Sequence, residues 1–182
     1  GLVLPPNIAP KQVVIIPIGR DEEIISLANH YNEILNDGGV TSYIDTTEKT
    51  PGFKFAEAEV NGIPVRIELG KRDLLNKNIT FVRRDTREKL LETTDIDVLS
   101  YVKELLNTIQ KDMYERAVKR RDDLTFTAHN YEELAHIINT TPGFIHGDWC
   151  GSESCELKIK ELRGCKSRCI LKDEKLITGK CV

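Results

Sequence analysis

A chain of 182 residues, 40% apolar and 30% charged, carries enough aliphatic surface for packed cores, and roughly one domain per 150 residues leaves room for two small ones. No apolar run approaches the roughly 18 residues that cross a bilayer, and the Gly1 to Pro6 start lacks the basic region of a signal peptide, so nothing points to export and a cytoplasmic protein is expected. A net charge of −3 excludes a chain that is basic throughout, but a nucleic-acid binder needs only a basic patch.

Gln12 to Ile18 (QVVIIPI) is a β-branched apolar run between Pro10 and Gly19, as in a strand buried on both faces of a parallel sheet. Asp21-Glu22-Glu23 then open an amphipathic helix over Ile24, Ala28, Tyr31 and Leu35, stopped by Asp37-Gly38-Gly39. Val40 to Ile44 is the second parallel strand of a βαβ unit. Val65, Ile67 and Leu69 alternate with Arg66 and Glu68, which predicts a half-buried strand. Ile79 to Arg83 and Lys89 to Glu92 flank a turn and predict a hairpin.

A helical period from Ile96 through Leu106, Ile109, Met113 and Ala117 predicts about six turns, with Lys119-Arg120-Arg121 at the end where the helix dipole favours cations. Asn130 caps a short helix that Pro142-Gly143 ends. The fold class is α/β: a three-layer domain over residues 1–127, with a mixed, mostly parallel sheet flanked by helices, followed by a small α/β domain over 128–182.

Between Lys71 and Lys89 stand Lys71, Arg72, Lys77, Arg83, Arg84, Arg87 and Lys89 against Asp73, Asp85 and Glu88, a locally positive stretch. Just upstream, Phe53, Phe55, Glu57, Glu59 and Arg66 share one compact region, with Phe55 and Glu59 an i,i+4 pair if that stretch is helical. A guanine unstacked from a loop asks for these side chains: a carboxylate for N1–H and N2–H, Arg or Lys for O6 and N7, and an aromatic face. The same residues also read as a surface ion pair and a core aromatic.

All five cysteines fall after residue 149, a cluster that favours metal over disulfides in an intracellular protein. Cys150 and Cys155 have the spacing of one thiolate pair, and Cys165, Cys169 and His146 stand nearby. His30, His129 and His136 have no partner at a catalytic spacing, and no glycine-rich phosphate loop is present.

Three groups of segments carry a resemblance across nearly the whole chain: GLVLPPNIAPKQVVIIPI at 1–18, TPGFKF at 50–55 with GIPVRIELG at 62–70, and WCGSESC at 149–155 with SRCI at 167–170. Together they resemble the C-terminal half of prolyl-tRNA synthetases of the archaeal and eukaryote-like type, which carry an appended zinc domain. The resemblance implies an anticodon-binding domain followed by a partial zinc domain. It implies that ATP, magnesium, proline and aminoacylation belong to a class II core upstream of Gly1, a cut within a longer homodimeric polypeptide that is inactive without that core.

The partner it implies is the anticodon stem-loop of tRNA(Pro), whose second and third anticodon bases are both G. Glu59 and Arg66 then fall on positions that read the second base, Arg72 and Lys89 on basic positions that approach the third, and Phe55 on a stacking position. Glu68 is left to orient Arg66. The implied zinc ligands are Cys150, Cys155 and Cys181, Cys181 opening a C-x2-C pair whose second member lies beyond Val182. Packing of the small domain is expected from Trp149, Leu157, Ile159, Leu162 and Ile170.

Rival readings are a flavodoxin-like small-molecule domain, a regulatory or protein-interaction module that lost tRNA affinity, and the anticodon domain of a histidyl-, threonyl- or glycyl-tRNA synthetase. The first requires a glycine-rich or acidic crevice after the first strand, which is missing from the sequence, and TPGFKF with GIPVRIELG disfavours the last.

Overall fold

A computed structural model describes residues 1–162, 164–170, 172 and 180–182. Two compact units divide the chain, Gly1–Glu115 and Arg116–Val182. In the first, β1 (Val13–Ile18) leads through α1 (Glu22–Asp37) to β2 (Ser42–Ile44), and α2 (Pro51–Asn61) leads to β3 (Val65–Gly70). A short α3 (Lys71–Leu75), which the sequence reading did not anticipate, precedes the hairpin β4 (Asn78–Arg83) and β5 (Lys89–Thr93), and α4 (Val98–Asp123) follows.

The strands form one mixed sheet in the order β2-β1-β3-β4-β5. β1 pairs parallel with β2 and β3, while β3–β4 and β4–β5 are antiparallel, so the pairings divide evenly between the two kinds.

Side-chain alternation splits this sheet into two layers of packing. Val13, Ile15, Val65, Ile67, Leu69, Ile79 and Phe81 meet Ile24, Ala28, Tyr31 and Leu35 of α1 and Val102, Leu105, Leu106 and Ile109 of α4 in the main core. The opposite parity, Val14 and Ile16, packs beneath Ala58 and Phe55 of α2 with Ile63 and Tyr43. The expected three layers are present. Two expectations are corrected: the sheet is mixed but not mostly parallel, and β3 is not half-buried. It is the central strand, covered on both faces, and Arg66 and Glu68 are 7% and 6% exposed.

Helix α2 has defined ends. Pro51 occupies its first turn, where a missing N–H costs nothing. Gly62 closes it in the left-handed region at φ 72°, and a Cβ there would stand 2.7 Å from Leu2 Cβ. At α4, Asp97 caps the start by accepting from Ser100 N at 3.1 Å and Ser100 Oγ at 2.7 Å.

The second unit begins within the last turns of α4 and continues with β6 (Thr125–Ala128), α5 (Tyr131–Thr140), β7 (Phe144–Gly147) and α6 (Glu153–Glu161). β6 and β7 pair in parallel around α5, a small βαβ unit. Asn130 caps α5 as expected: Glu133 N donates to Asn130 Oδ1 at 2.9 Å, and the Glu133 carboxylate accepts from His129 N at 2.8 Å. The core is Ala128, Leu134 and Val182, with Ile137, Ile138, Ile145, Ile159 and Leu162 packed against it. Trp149, Leu157 and Ile170, expected inside with Ile159 and Leu162, are exposed; Val182 and the apolar face of α5 take their place.

Candidate functional site

Strand β3 is in register with β4 and β5 so that Arg66, Val82 and Lys89 form one row, and the even-numbered residues of β3 face α2. Arg66 therefore rises from the middle of the sheet into the layer that α2 covers. Its guanidinium lies over the Phe55 ring, 4.4 Å from the centroid, a cation–π contact in a desolvated setting. Arg66 Nε donates to Glu68 Oε1 at 2.9 Å, and Nη2 reaches the same oxygen at 2.9 Å.

Glu59, one helical turn after Phe55 on α2, stands 3.6 Å from Arg66 Nη1. That separation is an ion pair but too long for a hydrogen bond. Lys89 on β5 reaches the other Glu68 oxygen at 3.4 Å. Arg66 and Glu68 side chains are 9% and 8% exposed, whereas Glu59 is 36% and Lys89 62% exposed. The buried pair is thus a foundation, and the groups it holds open to solvent are a carboxylate and an ammonium.

The structure brings together Phe55, Glu59, Arg66 and Lys89, with Glu68 as the residue joining them. Arg72 stands apart. It lies on exposed α3, beyond the end of β3, and no side-chain bond holds it among the described residues. Two features escaped the sequence reading. Arg84, from the basic stretch, donates Nε to the Glu59 carbonyl at 3.0 Å and so ties the β4–β5 turn to the end of α2; the Arg83-Arg84 doublet was its only signal. Lys54, 6% exposed, donates Nζ to the Asp45 carbonyl at 2.8 Å and pairs with Asp45 Oδ1 at 3.6 Å. A lysine between two phenylalanines gave no sign of burial.

Cys150, Cys155 and Cys181 converge in the second unit, with their sulfurs all within 4.8 Å of one another. Cys150 Sγ meets Cys155 Sγ at 3.5 Å, and Cys150 N donates to Cys181 Sγ at 3.4 Å. Thiolates at about 2.3 Å from a tetrahedral ion stand about 3.8 Å apart, so the triad fits three corners of such a site. Among the described residues no fourth ligand joins it, and Cys165 and Cys169 lie outside the group.

The bond from the Ser152 backbone, then the Cys181 and Cys155 thiols, hold the Cys150 thiol below its ordinary value. For Cys181 the Cys150 N–H favours the thiolate, but burial and the neighbouring thiols outweigh it and push Cys181 up. Accumulating negative charge on neighbouring thiols is costly, and a cation held among them would offset that cost.

A mixed sheet covered on one face by α2, and a following unit with a cysteine triad, define a class before they define a protein. Residues 12–111 match the anticodon binding domain family, and the chain belongs to it. Residues 131–182 match a second family, that of the prolyl-tRNA synthetase C-terminal region.

The proline-tRNA ligases of Lachnoclostridium phytofermentans and Lachnospira eligens are 43% and 44% identical over the whole chain. The chain spans 38% of the length of each of these relatives. Prolyl-tRNA synthetase of Cryptosporidium parvum is similar in structure. Its complex with L-proline and AMP gives a TM-score of 0.86 at 34% identity over 95% of this chain and 38% of that one. The complex with halofuginone and AMPPNP gives 0.88 at 32% identity over 100% and 40%. No described helix is long and apolar enough to cross a membrane.

Proposed function

We propose that the first unit reads the two adjacent guanines of the proline anticodon in tRNA(Pro), and that it does so on the α2 face of the sheet. The observation that carries this reading is the split ion pair: a half-exposed Glu59 carboxylate 3.6 Å from Arg66 Nη1. Guanine's pairing edge offers O6 as acceptor beside N1–H and N2–H as donors, the complement of an arginine N–H beside a carboxylate. Glu59 accepts from N1–H and N2–H, and Arg66 Nη1 donates to O6.

Phe55 is the stacking member. Its ring lies against the Arg66 guanidinium, 4.4 Å from the centroid, and steadies the group that meets the base edge. Glu68 takes up Nε and Nη2, leaving Nη1 for the ligand. Lys89 and Arg72 carry the exposed charges that approach the neighbouring base. The rival, a module that kept the fold without tRNA binding, has no use for a carboxylate held short of its arginine.

The division of labour places anticodon reading in residues 1–127 and the metal-supported domain in 128–182; the family matches end and begin on either side of that division. Zinc is the ion that Cys150, Cys155 and Cys181 suit, and thiolates favour it chemically. Attachment of proline with ATP and magnesium, the homodimer and the cytoplasmic setting belong to the longer synthetase of which this region is the tRNA-aligning part.

The test is a gel shift with the tRNA(Pro) anticodon stem-loop, each G changed to A in turn. Glu59→Gln weakens binding to the parent loop by about 1–3 kcal/mol and narrows the gap between G and A at one position, as a lost base-edge contact does. Equal losses on matched and mismatched loops would sink the base-reading role.

A further inference from the structure

The turn joining β4 to β5 carries two arginines with no acidic partner among the described residues. Arg83, at the end of β4, is neutralised: Nε and Nη2 bond Asp85 at 3.0 and 2.9 Å, and Nη2 bonds Asp112 of α4 at 2.6 Å. These bonds fix the turn, helped by Arg83 N to the Glu88 carbonyl at 3.0 Å, Arg84 N to the Pro64 carbonyl at 2.9 Å, and Arg87 N to the Arg83 carbonyl at 3.0 Å. Arg84 spends only Nε, on the Glu59 carbonyl. Among the described residues the exposed Arg87 side chain has no bond or ion pair, and its backbone lies in the left-handed region at φ 63°. That conformation favours glycine, yet a long cation occupies it, and such outliers gather where a side chain is used.

Arg84 and Arg87 line one shallow cleft with Glu59 and Arg66. Arg66, Arg83 and Lys89, the cations around that cleft and its row, each already have a carboxylate. We propose that Arg84 and Arg87 form a phosphate clamp, holding the backbone of the RNA strand whose guanine Glu59 and Arg66 read; the proposal rests on that reading of Glu59 and Arg66. A rigid turn presenting two uncompensated guanidinium forks matches the planar, two-pronged recognition of a phosphodiester. The contact carries no sequence information; it sets the register of the strand against the readers.

The experiment measures, by fluorescence anisotropy over a range of salt, binding of the 182-residue chain to a stem-loop with two adjacent loop guanines and to its G-to-A versions. Arg87→Gln is expected to weaken all the loops by the same factor, and to flatten the slope of log affinity against log salt by about 0.7, the value for one single-strand phosphate contact. Arg84→Lys keeps the charge and the slope, while Arg84→Gln loses both. Arg87→Gly relieves the left-handed backbone, so weaker binding without a lower melting temperature separates the contact from folding.

Unchanged affinity and slope in Arg87→Gln would overturn the clamp, as would a loss confined to guanine-bearing loops. A parent chain that binds all loops alike would overturn the guanine reading instead, and a flatter slope for Arg87→Gln would still uphold the clamp.

Discussion

Arg66 Nε and Nη2 converge on one oxygen of Glu68, with both side chains nearly out of water, so each charge depends on the other. Removing one partner of such a buried pair strands the other and costs about 3–5 kcal/mol, whereas exchanging both for apolar side chains of similar size is often neutral. Glu68→Ala is therefore expected to lower stability by about that amount in a denaturant titration. Arg66→Met with Glu68→Leu is expected to recover most of it while losing preference for guanine at one loop position. A double variant that still discriminates would mean that Arg66 serves the fold alone. The residue types of this site were legible in the sequence, since Glu59, Arg66, Phe55 and Lys89 were all named from chemistry and resemblance. Their burial was not: alternation in Val65 to Leu69 reports which face a side chain takes, and it is silent on whether a helix covers that face.

Helix α2, which carries both Phe55 and Glu59, is fastened at its start by Lys54 and Asp45. Asp45 in turn accepts from Thr47 N at 3.0 Å and Thr47 Oγ1 at 2.6 Å. Burial works against the Asp45 carboxylate, but the Thr47 bonds and the Lys54 charge outweigh it and hold the pKa below its ordinary 3.8. With the folded value depressed, the stabilisation is present in full above 3.8 and drains away as pH falls through the lower folded value. Asp45→Asn should erase that part of the acid dependence while leaving the Lys54 bond to the main-chain carbonyl; matching acid-unfolding curves for parent and variant would contradict it. Elements at this scale were legible where the apolar pattern ran long enough. β1, α1, the β4–β5 hairpin, α4 and the Asn130-capped α5 all appear close to where periodicity placed them. α3 was not, because Lys71–Leu75 is too short to show a helical period, and its conformation is set by its place between β3 and β4.

The two units differ in how much apolar material each buries. The first has a sheet packed on both faces, while the second buries only Ala128, Leu134 and Val182 among its described residues. Val182 N bonds the Asp148 carbonyl at 3.0 Å, and the Val182 side chain lies so close to Gly147 that a Cβ there would stand 2.7 Å away. Backbone pairing and packing thus bring Cys181 toward Cys150 and Cys155, and a metal would lock an approach the chain already favours. Small cores lean on such ions, because metal binding energy is coupled to folding. A chelator is therefore expected to lower the melting temperature of the second unit and to leave that of the first, and its discrimination between G and A loops, unchanged. Cys150→Ser, Cys155→Ser and Cys181→Ser should each reproduce the chelator's effect and lower the zinc content found by elemental analysis, whereas Cys165→Ser and Cys169→Ser should leave it unchanged. Zinc undiminished in Cys181→Ser would show that the triad is not the site, and loss of guanine preference on chelation would show that the metal governs the reading face as well.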